Sequence, residues 1–148
     1  MYLLDANVLS ATAPTKALPD PNLQAWIRRN SDRLFLSVIT LMELNHGAAW
    51  LEHRRATAKA ARLAAWIELV RTHYEERILP ADAAVAIRAG KLITVARAVG
   101  VQIDTEDAII AATAELHSLT VLTDNGRHFA PTGVSYINPF VMLPPDAA

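Results

Sequence analysis

The sequence contains no cysteine among its 148 residues. This absence excludes disulfide bonds and thiolate metal sites, so a bound metal ion would have only oxygen and nitrogen ligands. No apolar run approaches the roughly 20 residues that a membrane helix needs, and the N-terminus lacks the basic flank and apolar core of a signal peptide. We therefore expect a cytoplasmic protein that does not enter a membrane.

A strong net charge is also missing, because acidic and basic residues nearly balance at a formal net charge of −1. The chain thus gives no global basic signal for nucleic-acid binding, although a metal ion in an acidic site can itself attract phosphate. Hydrophobic residues make up 52% of the sequence and charged residues 20%. That proportion is sufficient for the core of one folded domain.

The first residues place an acid at the end of a predicted buried strand. Residues 2–4 form a short apolar run without helical periodicity, and Asp5 follows directly. Strands that are buried on both faces have such continuous apolar runs. Because ligands of open α/β sheets bind at the carboxyl ends of the strands, Asp5 is a candidate functional residue.

Short apolar strands alternate with helical segments along the rest of the chain, without a tight hairpin signal between strands. The predicted strands cover residues 2–4, 34–36, 78–80, 120–123 and 134–137, and the predicted longer helices cover 22–30, 38–51, 54–77, 82–99 and a segment that opens at 104. This order predicts an α/β fold in three layers, with a parallel central sheet flanked by helices on both sides.

Two of the predicted helices form a hairpin over residues 38–70 that has more apolar surface than a small domain needs. In one interpretation both helices pack on the sheet. In the other, the hairpin contains a groove that binds a partner protein.

Four acids lie beside segments that are predicted to be buried: Asp5, Glu43, Asp107 and Asp124. An unpaired buried carboxylate is costly, and no lysine or arginine occupies a comparable position. The simplest counter-charge is a divalent cation, and a hard ion such as Mg²⁺ prefers oxygen ligands. Zinc is disfavoured because the five histidines show no paired-ligand spacing such as HExxH.

The acids that open the helix after residue 103 also have a purely structural explanation. Asp104, Glu106 and Asp107 stand in its first turn, where negative charge favours the helix dipole. Asp104 is the natural N-cap, because its carboxylate can accept hydrogen bonds from free backbone N–H groups.

Four short segments follow one another in the order Leu3-Leu-Asp5-Ala-Asn7-Val-Leu9, Leu36-Ser-Val-Ile-Thr-Leu-Met-Glu43-Leu-Asn-His-Gly47, Asp107-Ala-Ile-Ile-Ala-Ala-Thr-Ala114 and Leu119-Thr-Val-Leu-Thr123. In combination they resemble the motifs of PIN-domain ribonucleases, most closely the VapC and FitB toxins of bacterial toxin–antitoxin pairs. The resemblance extends from Tyr2 to about Phe140. It implies a PIN-like fold and a single PIN domain over residues 1–148.

The resemblance also implies catalytic roles for particular residues. Asp5 and Asp107 would bind Mg²⁺ or Mn²⁺ directly, Glu43 would bind it directly or through water, and Asn7 would be a polar helper beside them. Position 6 is often threonine in the family and is alanine here. The implied reaction is hydrolysis of RNA phosphodiester bonds by a metal-activated water.

The fourth position of the site remains open in the sequence. Asp124 follows the threonine that matches the family motif, Thr123, but it is displaced by one residue from the FitB-like position. Asn125 occupies that position, and His128 stands where many VapC-like members have an acid. Asp124 or Asn125 would hold a second ion or position the water.

The resemblance implies two protein partners as well. Members of the family are usually neutralised by an antitoxin, for which the hairpin over residues 38–70 is the candidate groove. They usually form homodimers.

Two other functional classes compete with the nuclease. A Mg²⁺-dependent phosphatase would use Asp5 as a nucleophile, but a second aspartate would be expected at Asn7 and no lysine motif is evident. A non-catalytic module would use the same fold for binding alone, an alternative that the altered fourth position leaves open.

Overall fold

The computed structural model describes residues 1–18 and 20–146. Its strands are β1 (Tyr2–Leu4), β2 (Leu34–Ser37), β3 (Ile78–Leu79), β4 (Thr120–Leu122) and β5 (Tyr136–Ile137). They form one sheet in the order β3-β2-β1-β4-β5, and every neighbouring pair is parallel. The predicted parallel sheet is therefore confirmed.

The connections run outward from β1 in both directions, and this arrangement creates a crevice at the centre of the sheet. The chain passes from β1 to β2 and β3 on one side, and then places β4 and β5 on the other side. Leu4 pairs with both Leu36 and Leu122, so these strands end at nearly the same level. In open α/β sheets, this reversal point at the carboxyl edge is where ligands bind.

The helices of the described residues are α1 (Ala6–Ser10), α2 (Pro21–Arg29), α3 (Val38–His53), α4 (Thr57–His73), α5 (Ala83–Ala98), α6 (Thr105–Leu116) and α7 (Gly126–Phe129). Single 3-10 turns cover Ser31–Arg33, Glu75–Arg77 and Ala130–Thr132. Among these residues, no helix is both long enough and apolar enough to cross a membrane.

Two apolar cores lie on opposite faces of the sheet, because successive side chains of a strand alternate between its faces. Tyr2 and Leu4 belong to one core, which also contains buried residues of α1, α2, α3 and α4. Leu3 belongs to the other core, with buried residues of α5 and α6. The predicted three-layer arrangement, with helices on both sides of the sheet, is confirmed.

The predicted helix over residues 54–77 is wrong at both ends. Arg55 has a positive φ of 60°, and its backbone N–H donates to the carbonyl of Glu52, so a turn separates α3 from α4. At the other end, Tyr74 closes α4 and a 3-10 turn follows before β3. Strand β5 is also shorter than the predicted 134–137, since the backbone N–H of Val134 donates to the side chain of Thr132.

The α3–α4 hairpin packs on the sheet and also exposes apolar side chains. Leu44 and Ile67 are buried in the same core as Leu4. On its outer surface, Trp50 is 53% exposed and Leu69 is 70% exposed. The prediction that the hairpin packs on the sheet is therefore confirmed. Its outer surface still exposes apolar side chains to solvent.

Candidate active site

Asp5 is held in a fixed orientation at the carboxyl end of β1. It is only 3% exposed, and it accepts hydrogen bonds from Ala6 N (2.7 Å), Asn7 Nδ2 (2.9 Å) and Thr123 Oγ1 (2.6 Å). Burial raises the pKa of Asp5 above its ordinary value, the bond from Thr123 lowers it, and the charge of Asp107 raises it, with a net upward shift. The structure thus keeps a carboxyl group in a place that disfavours its negative charge.

Thr123 connects the ends of two neighbouring strands. Its hydroxyl donates to Asp5 Oδ2 and accepts from the backbone N–H of Asn125 (3.0 Å) and from Asn7 Nδ2 (3.2 Å). The side chain is fully buried, so it lies behind Asp5 and away from solvent. Thr123 therefore orients Asp5 and also fixes the start of the turn that follows β4.

Glu43 extends toward Asp5 from the neighbouring helix α3. This helix begins directly after β2, where Ser37 Oγ accepts a hydrogen bond from Ile39 N. Glu43 Oε2 is buried, and the described residues give it no hydrogen-bond partner. Burial, followed by the charges of Asp5 and Asp107, raises the pKa of Glu43 to about 7.

Asp107 lies in the first turn of α6. Its Oδ2 accepts a hydrogen bond from Asn125 Nδ2 (3.1 Å) and is 2.5 Å from His128 Nδ1. Burial raises the pKa of Asp107, the contact with His128 lowers it, and the charges of Asp104 and Glu106 raise it, with a net upward shift.

Asp104 occupies the N-cap position of α6, but its side chain makes no capping hydrogen bond. The prediction that it caps the helix is therefore wrong for the side chain. Asp104 instead lines the same cleft as Asp107. A capping hydrogen bond therefore does not account for the carboxylate of Asp104 at this position.

These elements enclose a cleft of about 620 Å³ at the carboxyl edge of the sheet. The described residues that line it are Asp5, Asn7, Met42, Glu43, His46, Asp104, Glu106, Asp107 and Asn125. Neither lysine nor arginine is among them. Carboxylates with raised pKa values and an unpartnered buried oxygen fit a hard divalent cation, which would supply the missing positive charge.

Asp124 occupies a different position from the other predicted acids. It is exposed and is not among the residues that line the cleft, whereas the next residue, Asn125, is. Its backbone N–H lies 3.4 Å from Asn7 Oδ1, and its charge raises the pKa of Asp5. Asp5, Glu43 and Asp107 are thus brought together, and Asp124 lies outside their cleft.

His46 and Glu106 also line the cleft, although the sequence pattern predicts no site role for either residue. Helical spacing was the available signal for His46, because it stands three residues after Glu43 and such residues are neighbours on a helix surface. For Glu106, its position beside Asp107 was the only signal.

Comparison with known proteins identifies the family of this chain. The family model described as PIN domain matches residues 2–133. The chain belongs to the PIN domain family. The expected family and fold are therefore confirmed.

Two curated PIN-domain relatives resemble this chain over nearly its whole length. It is 34% identical to Toxin FitB of Neisseria gonorrhoeae over 142 residues, which cover 95% of this chain and 99% of that protein. It is 35% identical to VapC ribonuclease Y4jK of Sinorhizobium fredii over 142 residues, which cover 95% of this chain and 98% of that protein.

Solved structures give the same result for the fold. The crystal structure of FitAcB from Neisseria gonorrhoeae matches with a TM-score of 0.81 and 35% identity, covering 95% of this chain and 99% of the other. DNA-bound VapBC from Salmonella typhimurium matches with a TM-score of 0.73 and 25% identity, covering 92% and 96% of the two chains.

Proposed function

We propose that this PIN domain is a metal-dependent endoribonuclease that acts as the toxin of a toxin–antitoxin pair. The observation that carries the proposal is the convergence of Asp5, Glu43 and Asp107 in one cleft whose described lining contains no lysine or arginine. A relative of similar length is named a ribonuclease and another a toxin. An RNA substrate also makes the cytoplasm the expected compartment.

Asp5 and Asp107 would hold a Mg²⁺ or Mn²⁺ ion, with Glu43 binding directly or through water. When bound, such a cation activates a water molecule for attack on a phosphodiester and neutralises charge on the leaving oxygen. Asp124 would contribute from the edge of the cleft, either to a second ion or to the position of the water.

The protein's own side chains prepare this site in two ways. Asn7 and Thr123 both donate to Oδ2 of Asp5, and this fixes the carboxyl group before any ligand arrives. Glu43 Oε2 has no described partner and a pKa of about 7. That pKa belongs to the site without a cation, and a bound cation would lower it and so favour the ionised carboxylate as a ligand.

A second cleft offers a path for the RNA backbone. It has a volume of about 360 Å³ and lies next to the acidic cleft, because Asn7 and Glu43 line both. Lys16 and Lys59 also line it, and both are exposed. Lysines in a cleft beside the acids would bind the phosphates that flank the one being cleaved.

The toxin role requires a protein partner. The relative FitB is named a toxin, and the solved structures that this chain resembles include FitAcB and DNA-bound VapBC. We propose an antitoxin that binds the groove of the hairpin over residues 38–70, where Trp50 and Leu69 are exposed. Co-expression with the protein encoded by the adjacent open reading frame tests this, and a failure to bind or to suppress activity would contradict it. A homodimer remains a prediction from the family.

The decisive experiment is cleavage of a mixed cellular RNA pool by purified protein with Mg²⁺, with Mn²⁺ and with EDTA, beside Asp5→Asn. We expect discrete fragments that require the cation and disappear in the variant. Cation binding without cleavage would favour the non-catalytic module. A phosphoryl group trapped on Asp5 by a phosphate analogue would favour the phosphatase.

A further inference from the structure

Three polar atoms meet at the part of the cleft that lies beyond β4. Asp107 Oδ2 is 2.5 Å from His128 Nδ1 and 3.1 Å from Asn125 Nδ2, and the two nitrogen atoms are 2.9 Å apart. The side chains of His128 and Asp107 are each only 14% exposed. Each atom of this triangle is therefore within hydrogen-bond distance of both others.

Hydrogen bonds satisfy this triangle only when Asp107 is protonated. An ionised carboxylate oxygen only accepts, an imidazole nitrogen is a donor or an acceptor, and the Asn125 amide presents either its NH₂ or its oxygen. With Asp107 ionised, at least one pair is therefore donor with donor or acceptor with acceptor, and that contact repels. A proton on Asp107 Oδ2 relieves the conflict, because the carboxyl group then donates to His128 and accepts from Asn125.

A cation can take the place of that proton, because Asp107 and His128 can present lone pairs to it, and so can Asn125 once its amide is turned to place the oxygen there. Ligands at neighbouring corners of an octahedron around Mg²⁺ or a similar ion are about 3 Å apart, which resembles the spacing of this triangle. A carboxylate oxygen of Asp104 lies close by, since ligand atoms of Asp104, Asp107 and His128 all lie within 4.8 Å of one another.

We propose that His128 supplies an imidazole nitrogen to the cation that Asp107 and Asp104 bind, with Asn125 contributing its amide oxygen. This inference deepens the proposed function and rests on its metal centre. The donor set is then mixed nitrogen and oxygen rather than carboxylates alone. Imidazole is a favourable ligand for transition metals, whereas Mg²⁺ prefers oxygen. The site therefore prefers Mn²⁺ over Mg²⁺.

Pulsed electron paramagnetic resonance of the purified full chain loaded with Mn²⁺ tests the nitrogen ligand directly. Hyperfine coupling to ¹⁴N is expected in the wild type and in His46→Gln, which removes a histidine that lines the acidic cleft. The coupling should be absent in His128→Asp. A coupling that persists in His128→Asp, or is lost in His46→Gln, would overturn the assignment.

Calorimetric titration with Mn²⁺ and with Mg²⁺ tests the predicted preference. His128→Asn should weaken Mn²⁺ binding by about 10-fold or more and Mg²⁺ binding by less, because the nitrogen ligand is lost without any added charge. An equal effect on both ions would contradict the proposal. Circular dichroism shows whether the variant is folded, and His128→Gln provides a second neutral replacement if it is not.

These measurements contain no RNA, so they separate this inference from the proposed function. Nitrogen coupling without RNA cleavage would support the ligand and contradict the nuclease. Cleavage without nitrogen coupling would support the nuclease and contradict the ligand.

Discussion

Thr123 donates a 2.6 Å hydrogen bond to Asp5, and this bond joins the ends of β4 and β1 at the point where the strand order reverses. The two residues are far apart in the sequence but adjacent in the sheet, because Leu4 pairs with Leu122. A buried hydroxyl therefore supports the carboxyl group on which the proposed chemistry depends.

Replacing Thr123 with valine should lower nuclease activity by about 10- to 100-fold, the usual cost of losing a group that orients a metal ligand. The change keeps the shape of the side chain and removes its hydrogen bond to Asp5. It also leaves Asn125 N without its described acceptor, so unfolding free energy should fall by about 1–3 kcal/mol. Cleavage rates and chemical denaturation measure the two effects.

Thr113→Val is the matched control for that variant. Thr113 is equally buried, but its hydroxyl donates to the carbonyl of Ile109 within α6, away from the acids. Its activity should equal that of the wild type. If Thr113→Val lost as much activity as Thr123→Val, a general loss of stability would explain both results.

Without a bound cation, the protein should become less stable as pH rises from about 4.5 to about 7. The pKa of Glu43 is raised from 4.5 to about 7 in the folded state, so in this range the folded state binds more protons than the unfolded state. The stabilisation is complete below the lower value and is lost as pH passes the upper one. Thermal unfolding in EDTA across this range measures the decline.

Glu43→Gln should make this decline smaller, since it removes one of the three carboxyl groups with raised pKa values. Glu52→Gln, an exposed acid on the same helix, provides the control and should follow the wild-type curve. A wild-type stability that does not change over this pH range would contradict the prediction.

Mg²⁺ or Mn²⁺ should raise the melting temperature, because a ligand that binds only the folded state stabilises it. At a concentration 100 times the dissociation constant, the gain is about 2.7 kcal/mol. The shift should be larger at pH 8 than at pH 5, because protons compete with the cation for carboxyl groups with raised pKa values. Differential scanning calorimetry at both pH values gives the comparison.

Asp5→Asn should remove most of that thermal shift. Asp32→Asn, which changes an exposed acid in a 3-10 turn, should keep it. Equal cation-induced shifts of the melting temperature in the two variants would contradict the assignment of Asp5 as a metal ligand.

Lys59→Glu should weaken RNA binding and reduce its dependence on salt, because each phosphate contact contributes about one unit to that slope. The relevant measurement is RNA affinity of the Asp5→Asn protein, which should not cleave the ligand, over a series of salt concentrations. Lys91→Glu alters an exposed lysine on α5, which packs on the other face of the sheet, and should leave binding unchanged. Equal losses of RNA affinity in the two variants would indicate nonspecific electrostatic attraction and would contradict a defined RNA path along the second cleft.

The central sheet and its nearest acids could be predicted from the sequence for a simple reason. A short apolar run followed by Asp5 can hardly lie anywhere other than at the end of a buried strand. The parallel arrangement then brings the start of α3 to the same edge, and Glu43 with it. The positions of Asp5 and Glu43 at this edge follow from the parallel direction of the strands, and the alternation of strands and helices in the sequence already predicts that direction.

The fourth position of the site could not be predicted in the same way. Residues 124–128 form a turn and the short helix α7, and turn geometry decides which side chain faces the cleft. Spacing alone therefore left Asp124, Asn125 and His128 as alternatives. In the structure Asp124 is exposed, whereas Asn125 and His128 contact Asp107.

The error over residues 54–77 has a comparable origin. Alanine-rich sequence favours a helix, and nothing local to Arg55 requires a positive φ. The turn there forms because α3 and α4 must reverse direction to pack on one core, which is a tertiary requirement.

Strand β1 is only three residues long, so the number of residues before Asp5 decides whether its side chain lies at the carboxyl edge of the sheet. Tyr2 and Leu4 enter one core and Leu3 enters the other, so inserting or deleting one residue before Asp5 would exchange the two sets of side chains or shift the acid from the edge. Conservative replacements of Leu3 or Leu4 preserve this count. Evolution at this N-terminus should therefore tolerate apolar substitutions far better than changes in length.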